Sequence, residues 1–187
     1  LEEAGGLNLY GFVGNDPLNA VDALGLWSWD NDWFETALKI GTESYGDFRH
    51  ITFQNCEVEN SNRGLSIVVL DGGIVEDVVF SDINIECKRR HFNWWGNGDP
   101  IWVNIGNRYP NSEIGTIRNI RFENIVASGM GTSSIESEEF STISNIKLAN
   151  VKLSMIAESE ADKRANHAFF IKNADSLELN NFSVDWN

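Results

Sequence analysis

The strongest constraint on the fold is a short phrase that returns five times along the chain. Each copy has two alternating apolar residues, then Asn or Asp, then two more alternating apolar residues. The copies begin at Ile51, Val78, Ile120, Ile146 and Leu177. Alternation with a period of two is typical of β-strands, and Asn and Asp tolerate the left-handed backbone of a sharp bend. Each copy therefore predicts two short strands that meet at a corner.

The spacing of the copies indicates a solenoid. Successive copies lie 26 to 42 residues apart, as expected when every turn keeps one corner fixed and carries insertions elsewhere. Side-chain amides at that corner can bond from turn to turn, although Asp82 interrupts the Asn column. The sequence predicts an all-β fold, a right-handed parallel β-helix of about five turns over residues 27–187, after a short irregular segment. A leucine-rich repeat has similar Asn spacing, but it would carry more Leu and a helical stretch per repeat.

A third strand precedes each copy of the phrase. The candidates are Leu38–Ile40, Leu65–Val68, Ile101–Ile105, Ser133–Glu136 and Phe169–Lys172. Alternation predicts an inward set of Ile40, Ile67, Val103 or Ile105, Ile135 and Ile171. It predicts an outward set, with room for a register slip at Trp102, of Lys39, Ser66, Val68, Asn104, Ser134, Glu136 and Lys172. Stacked strands of this kind would give one continuous surface for a long, extended polymer.

Composition excludes several classes of partner. A chain of 187 residues with 42% hydrophobic content fits one domain of modest size. A formal charge of −14 argues against nucleic acid, whose binders carry a basic face. No apolar run is long enough to cross a membrane, and no signal peptide opens the chain. Because the chain begins with Leu1 rather than Met, we expect a piece of something longer.

The sequence gives little support for a metal site or for a disulfide. The histidines His50, His91 and His167 lie in different repeats without ligand spacing, so no zinc site and no cofactor are expected. The oxygen donors of residues 71–77 could bind Ca²⁺. The plainer interpretation of this segment is a solvated turn that contains glycines. Cys56 and Cys87 occupy different places in the repeat, which favours buried free thiols over a disulfide.

Residues 1–26 do not follow the repeat and are dense in Gly and Asn. Their motifs are Gly5-Gly6-Leu7-Asn8-Leu9-Tyr10, Asn15-Asp16-Pro17-Leu18-Asn19 and Asp22-Ala23-Leu24-Gly25-Leu26. This segment resembles the end of an Rhs (rearrangement hotspot) core domain. The resemblance implies that a variable domain follows, often a secreted toxin with an immunity protein as partner. It also implies self-cleavage after Leu26, although the family usually has Asp-Pro where this chain has Asp22-Ala23.

Residues from about 30 to 187 resemble a different family. The matching motifs are 36–44, 46–53, 62–67, 75–83, Trp94-Trp95-Gly96-Asn97-Gly98-Asp99-Pro100-Ile101 and Ile117-Arg118-Asn119-Ile120-Arg121-Phe122-Glu123-Asn124-Ile125. They are similar to the C-terminal half of glycoside hydrolase family 28, the polygalacturonase-like enzymes with the pectin lyase fold. The resemblance implies a glycosidase of carbohydrate metabolism that acts on acidic polysaccharide, secreted as part of a longer protein.

The family's catalytic signatures do not accompany the resemblance. Its Asn-Thr-Asp and Asp-Asp motifs would lie upstream of the matched region, where the Rhs-like segment stands. Its Gly-His-Gly position falls on Glu35-Thr36-Ala37, and its Arg-x-Lys position falls on Ser66-Ile67-Val68. These enzymes invert the anomeric centre with a general acid, a general base and a water between carboxylates. We therefore expect a partial domain whose hydrolysis is impaired or absent.

Other residues could supply a site on the predicted surface. The candidate catalytic carboxylates are Asp32, Asp71, Asp99 and Glu136. The candidate substrate-binding residues are Lys39, Arg63, Trp94, Trp95, Asn104, Arg108 and Lys172. Arg can bind sugar carboxylates and aromatic faces can stack on sugar rings, while the alternative for the two indoles is to cover the flank of the fold.

Three functional interpretations remain open from the sequence. The first is a polygalacturonase-like hydrolase of pectin or polygalacturonate. The second is a toxin or effector domain that follows an Rhs core. The third is a glycan-binding β-helix without catalysis, or an inert remnant, produced when an Rhs end joined half an enzyme.

Overall fold

A computed structural model describes residues 36–89, 96–138, 142–157 and 167–187, all within the compact unit Phe34–Asn187. These residues are all-β, with ten strands and no helix, so no helical membrane span occurs among them. The predicted segment 1–26 and the candidates Asp32, Trp94 and Trp95 lie outside the described residues.

The strands alternate between two parallel sheets. Sheet A has the order β1-β3-β5-β7-β9 and contains Leu38–Ile40, Arg63–Val69, Asp99–Ile105, Ser133–Ser137 and Phe169–Lys172. Sheet B has the order β2-β4-β6-β8-β10 and contains Phe48–Ser61, Ile74–Cys87, Thr116–Met130, Thr142–Ile156 and Ala174–Trp186. Every strand pairs in parallel with the strand two places along the chain.

The five copies of the phrase are the strands of sheet B, and they stack in register. The bend position is left-handed in every strand, with φ between 52° and 56° at Asn55, Asp82, Asn124, Asn150 and Asn181. The predicted corner is confirmed. The prediction of two separate strands is wrong, because pairing continues on both sides of the bend and makes one long strand of 13 to 15 residues.

Amide side chains bond along this column. Asn181 Nδ2 donates to Asn150 Oδ1 at 2.9 Å, Asn150 to Asn124 at 3.0 Å, and Asn124 to Asp82 Oδ1 at 2.8 Å. Asp82 does not break the ladder but ends it, because a carboxylate only accepts and Gln54 donates from the other side. Hydrogen bonds from Asn124 and Gln54 hold the pKa of Asp82 below its ordinary value.

A second left-handed column lies five residues before the first. Its members, with φ between 54° and 57°, are His50, Asp77, Asn119, Asn145 and Ser176. Asn145 Nδ2 donates to Asn119 Oδ1 at 2.7 Å, and Asn119 donates to Asp77 at 3.0 Å. Every strand of sheet B therefore has two bends at the same spacing.

The core lies between the inward faces of the two sheets. Phe53, Phe80 and Phe122 occupy one register position on adjacent strands, and their rings stack at 5.1 and 5.2 Å. Sheet A buries the predicted inward set from β1 to β7, while Ile171 on the edge strand stays 37% exposed. Trp102 faces outward without any register slip, since both Ile101 and Val103 are buried.

The bend at Asn124 can be tested with two substitutions. We expect Asn124→Ala to lower the free energy of unfolding by about 2 kcal/mol, because alanine is strained in the left-handed region and two amide bonds are lost. Asn124→Gly should cost about 1 kcal/mol, since it accepts the same φ but lacks the amide. Urea unfolding compares the two variants. An equal loss would contradict the assigned backbone strain.

Candidate functional site

The predicted carboxylate Asp71 is tied to a predicted binding residue, Arg108. Asp71 follows the C-terminal end of β3, and Arg108 follows the C-terminal end of the neighbouring strand β5. Arg108 Nε donates to Oδ1 at 2.7 Å and Nη2 donates to Oδ2 at 3.0 Å. The buried Ser44 completes the cluster, because its N–H donates to Asp71 and its hydroxyl accepts the N–H of Asp71. The guanidinium holds the pKa of Asp71 below its ordinary value, so this carboxylate stays ionised.

A second predicted pair, Asp99 and Arg63, lies at the opposite ends of the same strands. The two residues are register partners on β5 and β3, with 2% and 8% of their side chains exposed. Arg63 Nε donates to Oδ2 at 2.5 Å, and the Asn97 N–H donates to Oδ1 at 2.6 Å. The guanidinium also lies 3.5 Å from the ring centroid of Trp102, which is a cation–π contact. Burial raises the pKa of Asp99, and Arg63 opposes that rise.

Glu136 lies on the outer face of sheet A, which we define as the face that carries Lys39, Trp102 and Glu136. Asn104 and Lys172 are its register neighbours on β5 and β9. Ser134 Oγ donates to Glu136 at 2.9 Å. Three of the predicted residues therefore form one column across three consecutive strands.

The predicted outward residues do not lie in one column, because Lys39 belongs to the column next to that of Glu136. That column contains Lys39, Ser66, Trp102, Ser134 and Phe170. Ser66, Val68 and Ser134 are buried, whereas Lys172 is exposed. The exposed lysines of the outer face therefore lie at its two ends, Lys39 on β1 and Lys172 on β9.

Two aromatic residues of this face were not predicted as binding residues. Trp102 and Phe170 are outward, half-buried members of the column beside Glu136. The phase of the flanking apolar residues was the available signal, because an inward Ile101 and Val103 require an outward Trp102. Because a register slip at Trp102 was allowed in the sequence analysis, Trp102 was not assigned to the outward set.

The three described carboxylates do not form an acid–base pair of the inverting kind. A general acid must hold a proton near the working pH, and a partner must face it across the substrate. Asp71 is held ionised by Arg108. Asp99 has the raised pKa, but it is buried against Arg63 where no polysaccharide can reach it. Glu136 is the one of these three on the outer face.

The described ranges contain no group of three His, Cys, Asp or Glu side chains that could hold a metal ion. Two of the three carboxylates considered for Ca²⁺ are engaged with cations, and the third, Asp77, accepts a hydrogen bond from the Asn119 amide. Asp71 is paired with Arg108, and Glu76 lies between Arg49 and Arg118 with 9% of its side chain exposed.

Both cysteines are free, as predicted. Cys87 is buried, but Cys56 is only half-buried because it lies on the edge strand β2. Desolvation raises the pKa of both thiols, so neither is a thiolate at neutral pH.

Comparison with known proteins identifies no relative: no family model, no curated protein and no solved structure matches this chain.

Proposed function

We propose that the described residues form a right-handed parallel β-helix of the polygalacturonase-like kind. The chain visits sheet A and sheet B alternately, and each strand pairs in parallel with its equivalent one repeat later, which is the pattern that successive turns of a coil produce. Parallel crossovers are right-handed in about 98% of cases, which supplies the hand. The in-register amide ladders are consistent with this architecture.

We further propose that the chain binds acidic polysaccharide on the outer face of sheet A and does not hydrolyse it. The observation that carries this proposal is the column of Asn104, Glu136 and Lys172 beside Trp102 and Phe170. At a strand spacing of about 4.8 Å, these positions follow one another along the direction of a ligand that crosses the strands. Lys172 offers a positive charge, the amide offers a donor and an acceptor, and the rings offer apolar faces.

The same geometry argues against hydrolysis by this site. Glu136 is one carboxylate, and inversion needs two at a separation that holds a water. The other described candidates are committed to Arg108 and Arg63. A single carboxylate among donors can still accept sugar hydroxyls, which is a binding role.

A charge-matched pair of double variants tests the binding. We expect Lys39→Ala with Lys172→Ala to weaken affinity for polygalacturonate about tenfold, equivalent to about 1.4 kcal/mol, since both lysines lie on the outer face of sheet A. Lys147→Ala with Lys152→Ala removes the same charge from sheet B, where these lysines form surface ion pairs with Glu178 and Asp185. Calorimetric titration measures the affinities.

The control variant should bind polygalacturonate as the parent chain does. Fully methyl-esterified polymer should bind the parent and the Lys39/Lys172 variant equally weakly, because it lacks the carboxylates. Equal affinity of the two double variants would refute a site on the outer face of sheet A and leave only general charge attraction.

A further inference from the structure

The outward face of sheet B contains a groove that the proposed polysaccharide site does not use. Its volume is about 230 Å³, which is small beside the roughly 300–1,000 Å³ of a typical ligand pocket. We call it the sheet B groove. It is lined by the left-handed column of Asp77, Asn119 and Asn145 and by the column two residues later, with Arg121, Lys147 and Glu178. Its size suits a small molecule.

Two cations meet at the centre of the sheet B groove. Arg121 and Lys147 are register partners on the neighbouring strands β6 and β8, with 54% and 38% of their side chains exposed. Like charges at directly opposite positions of a sheet repel each other. This pair occurs in a chain with 28 acidic and 14 basic residues, so basic partners for acidic side chains are scarce. An anion bound between Arg121 and Lys147 would remove their repulsion.

The carboxylates beside the two cations supply that anion only in part. Arg121 Nη1 lies 3.6 Å from Glu123 Oε1, and Lys147 Nζ lies 3.4 Å from Glu178 Oε1. A charge-assisted hydrogen bond is about 2.7–2.9 Å long, so both contacts are loose. Arg121 and Lys147 can therefore direct N–H groups at a ligand.

The left-handed column supplies uncharged donors. Asn145 Nδ2 donates to Asn119 Oδ1, and Asn119 Nδ2 donates to Asp77 Oδ1. Each amide has two N–H groups, and each of these ladder bonds uses one of them. The second N–H of Asn119 and of Asn145 is a donor for the oxygen atoms of a ligand that lies in the groove.

Carboxylates lie at both ends of the sheet B groove. Asp77 belongs to β4 and Glu178 to β10, on either side of the two cations. They are three strand spacings apart, which is about 14 Å. A polyanion such as polygalacturonate would be repelled where it passed either end, whereas a single anionic group between the cations would not. The carboxylates can accept hydrogen bonds from hydroxyl groups of the same ligand.

We propose that the sheet B groove binds a small phosphate monoester that carries hydroxyl groups, the chemical class of the sugar phosphates. The phosphate carries a charge of about −1.5 to −2 at pH 7 and lies between Arg121 and Lys147. The guanidinium donates two parallel hydrogen bonds, and the ammonium adds a point charge. The amides of Asn119 and Asn145 and the carboxylate of Glu178 bind the hydroxyl groups. This site is separate from the outer face of sheet A and does not depend on the polysaccharide proposal.

Calorimetric titration with glucose 6-phosphate tests the site. We expect saturable binding, weakened about tenfold by Lys147→Gln because one of the two charges is lost. Lys152→Gln is the matched control, since Lys152 is also exposed on β8 and lies 3.9 Å from a carboxylate of β10, but does not line the groove. It should change the affinity less than twofold. Circular dichroism verifies that both variants fold.

Equal losses in the two lysine variants would overturn the placement in the sheet B groove. Absence of saturable binding by the parent chain would overturn the site itself. Inorganic phosphate should bind about tenfold more weakly than glucose 6-phosphate, because it lacks the hydroxyl groups of the sugar. Equal affinity for the two probes would assign the groove to the free ion and overturn the sugar phosphate.

The lysine variants of sheet A show whether the two sites are distinct. Lys39→Ala with Lys172→Ala should bind glucose 6-phosphate as the parent chain does, because both lysines lie on the outer face of sheet A. A tenfold loss in that variant would overturn a separate site on sheet B.

Discussion

Arg63→Met is expected to lower the free energy of unfolding by about 3–5 kcal/mol, because it leaves the Asp99 carboxylate buried without its partner. The side chain of Asp99 is 2% exposed, so water cannot replace the guanidinium. The double variant Arg63→Met with Asp99→Leu removes both charges and should lie within about 2 kcal/mol of the parent. Urea unfolding followed by far-ultraviolet circular dichroism measures the three proteins.

The control for this pair is Arg121→Met, on the exposed face of sheet B. Arg121 lies 3.6 Å from Glu123 with 54% of its side chain exposed, and such pairs contribute about 0–1 kcal/mol. The Arg63→Met variant should also recover stability as the pH falls. Burial raises the pKa of Asp99 in the folded state above the ordinary value of 3.8. The folded state therefore binds the proton more tightly than the unfolded state does, and protonation at low pH stabilises it. A loss no larger than that of Arg121→Met would contradict this account.

Phe122→Ala is the second large effect, with an expected loss of about 3–5 kcal/mol in the free energy of unfolding. Phe122 is fully buried, and its ring stacks 5.2 Å from that of Phe80 at the centre of the core. The rigid strands on either side cannot collapse into the space, so a cavity remains.

Phe53→Ala is the matched control for the same column. Phe53 stacks on Phe80 at 5.1 Å, but it lies on the edge strand β2 and is only half-buried. Its loss should cost about 2 kcal/mol, because less surface returns to water and no closed cavity forms. Equal losses for the two substitutions, measured by urea unfolding, would contradict the core described for sheet B.

The periodic parts of the sequence predicted the all-β, parallel-stranded architecture and the positions of its strands. The phrase located every strand of sheet B, and the inward residues Ile67, Val103 and Ile135 of sheet A followed from alternation. Both signals depend on side-chain period, which the parallel register preserves from strand to strand. The column of His50 and its equivalents was missed because its residue types vary between His, Asp, Asn and Ser.

The site was less predictable, because its ion pairs lie at the ends of the sheet A strands, next to connections of unequal length. Asp71 and Arg108 are 37 residues apart, and Arg63 and Asp99 are 36 apart, across connections whose lengths differ between repeats. No periodic signal connects such pairs, so carboxylates that looked available in the sequence proved to be committed to cations. Asn104, Glu136 and Lys172 were predictable because they lie within strands.

The two family resemblances are supported by fewer described residues than the fold is. The Rhs-like segment 1–26 and the effector function that it implies depend on residues outside the described ranges. The polygalacturonase-like activity depends on motifs that the sequence lacks. Binding without hydrolysis is the proposal that uses only described side chains.

The most direct test of this central claim is reducing-sugar release from polygalacturonate by the purified 187-residue chain, at a polymer concentration that saturates binding. We expect saturable binding and no release above a protein-free blank. Release that Glu136→Ala abolishes, while that variant still folds and binds, would show that Glu136 takes part in catalysis and would contradict the account.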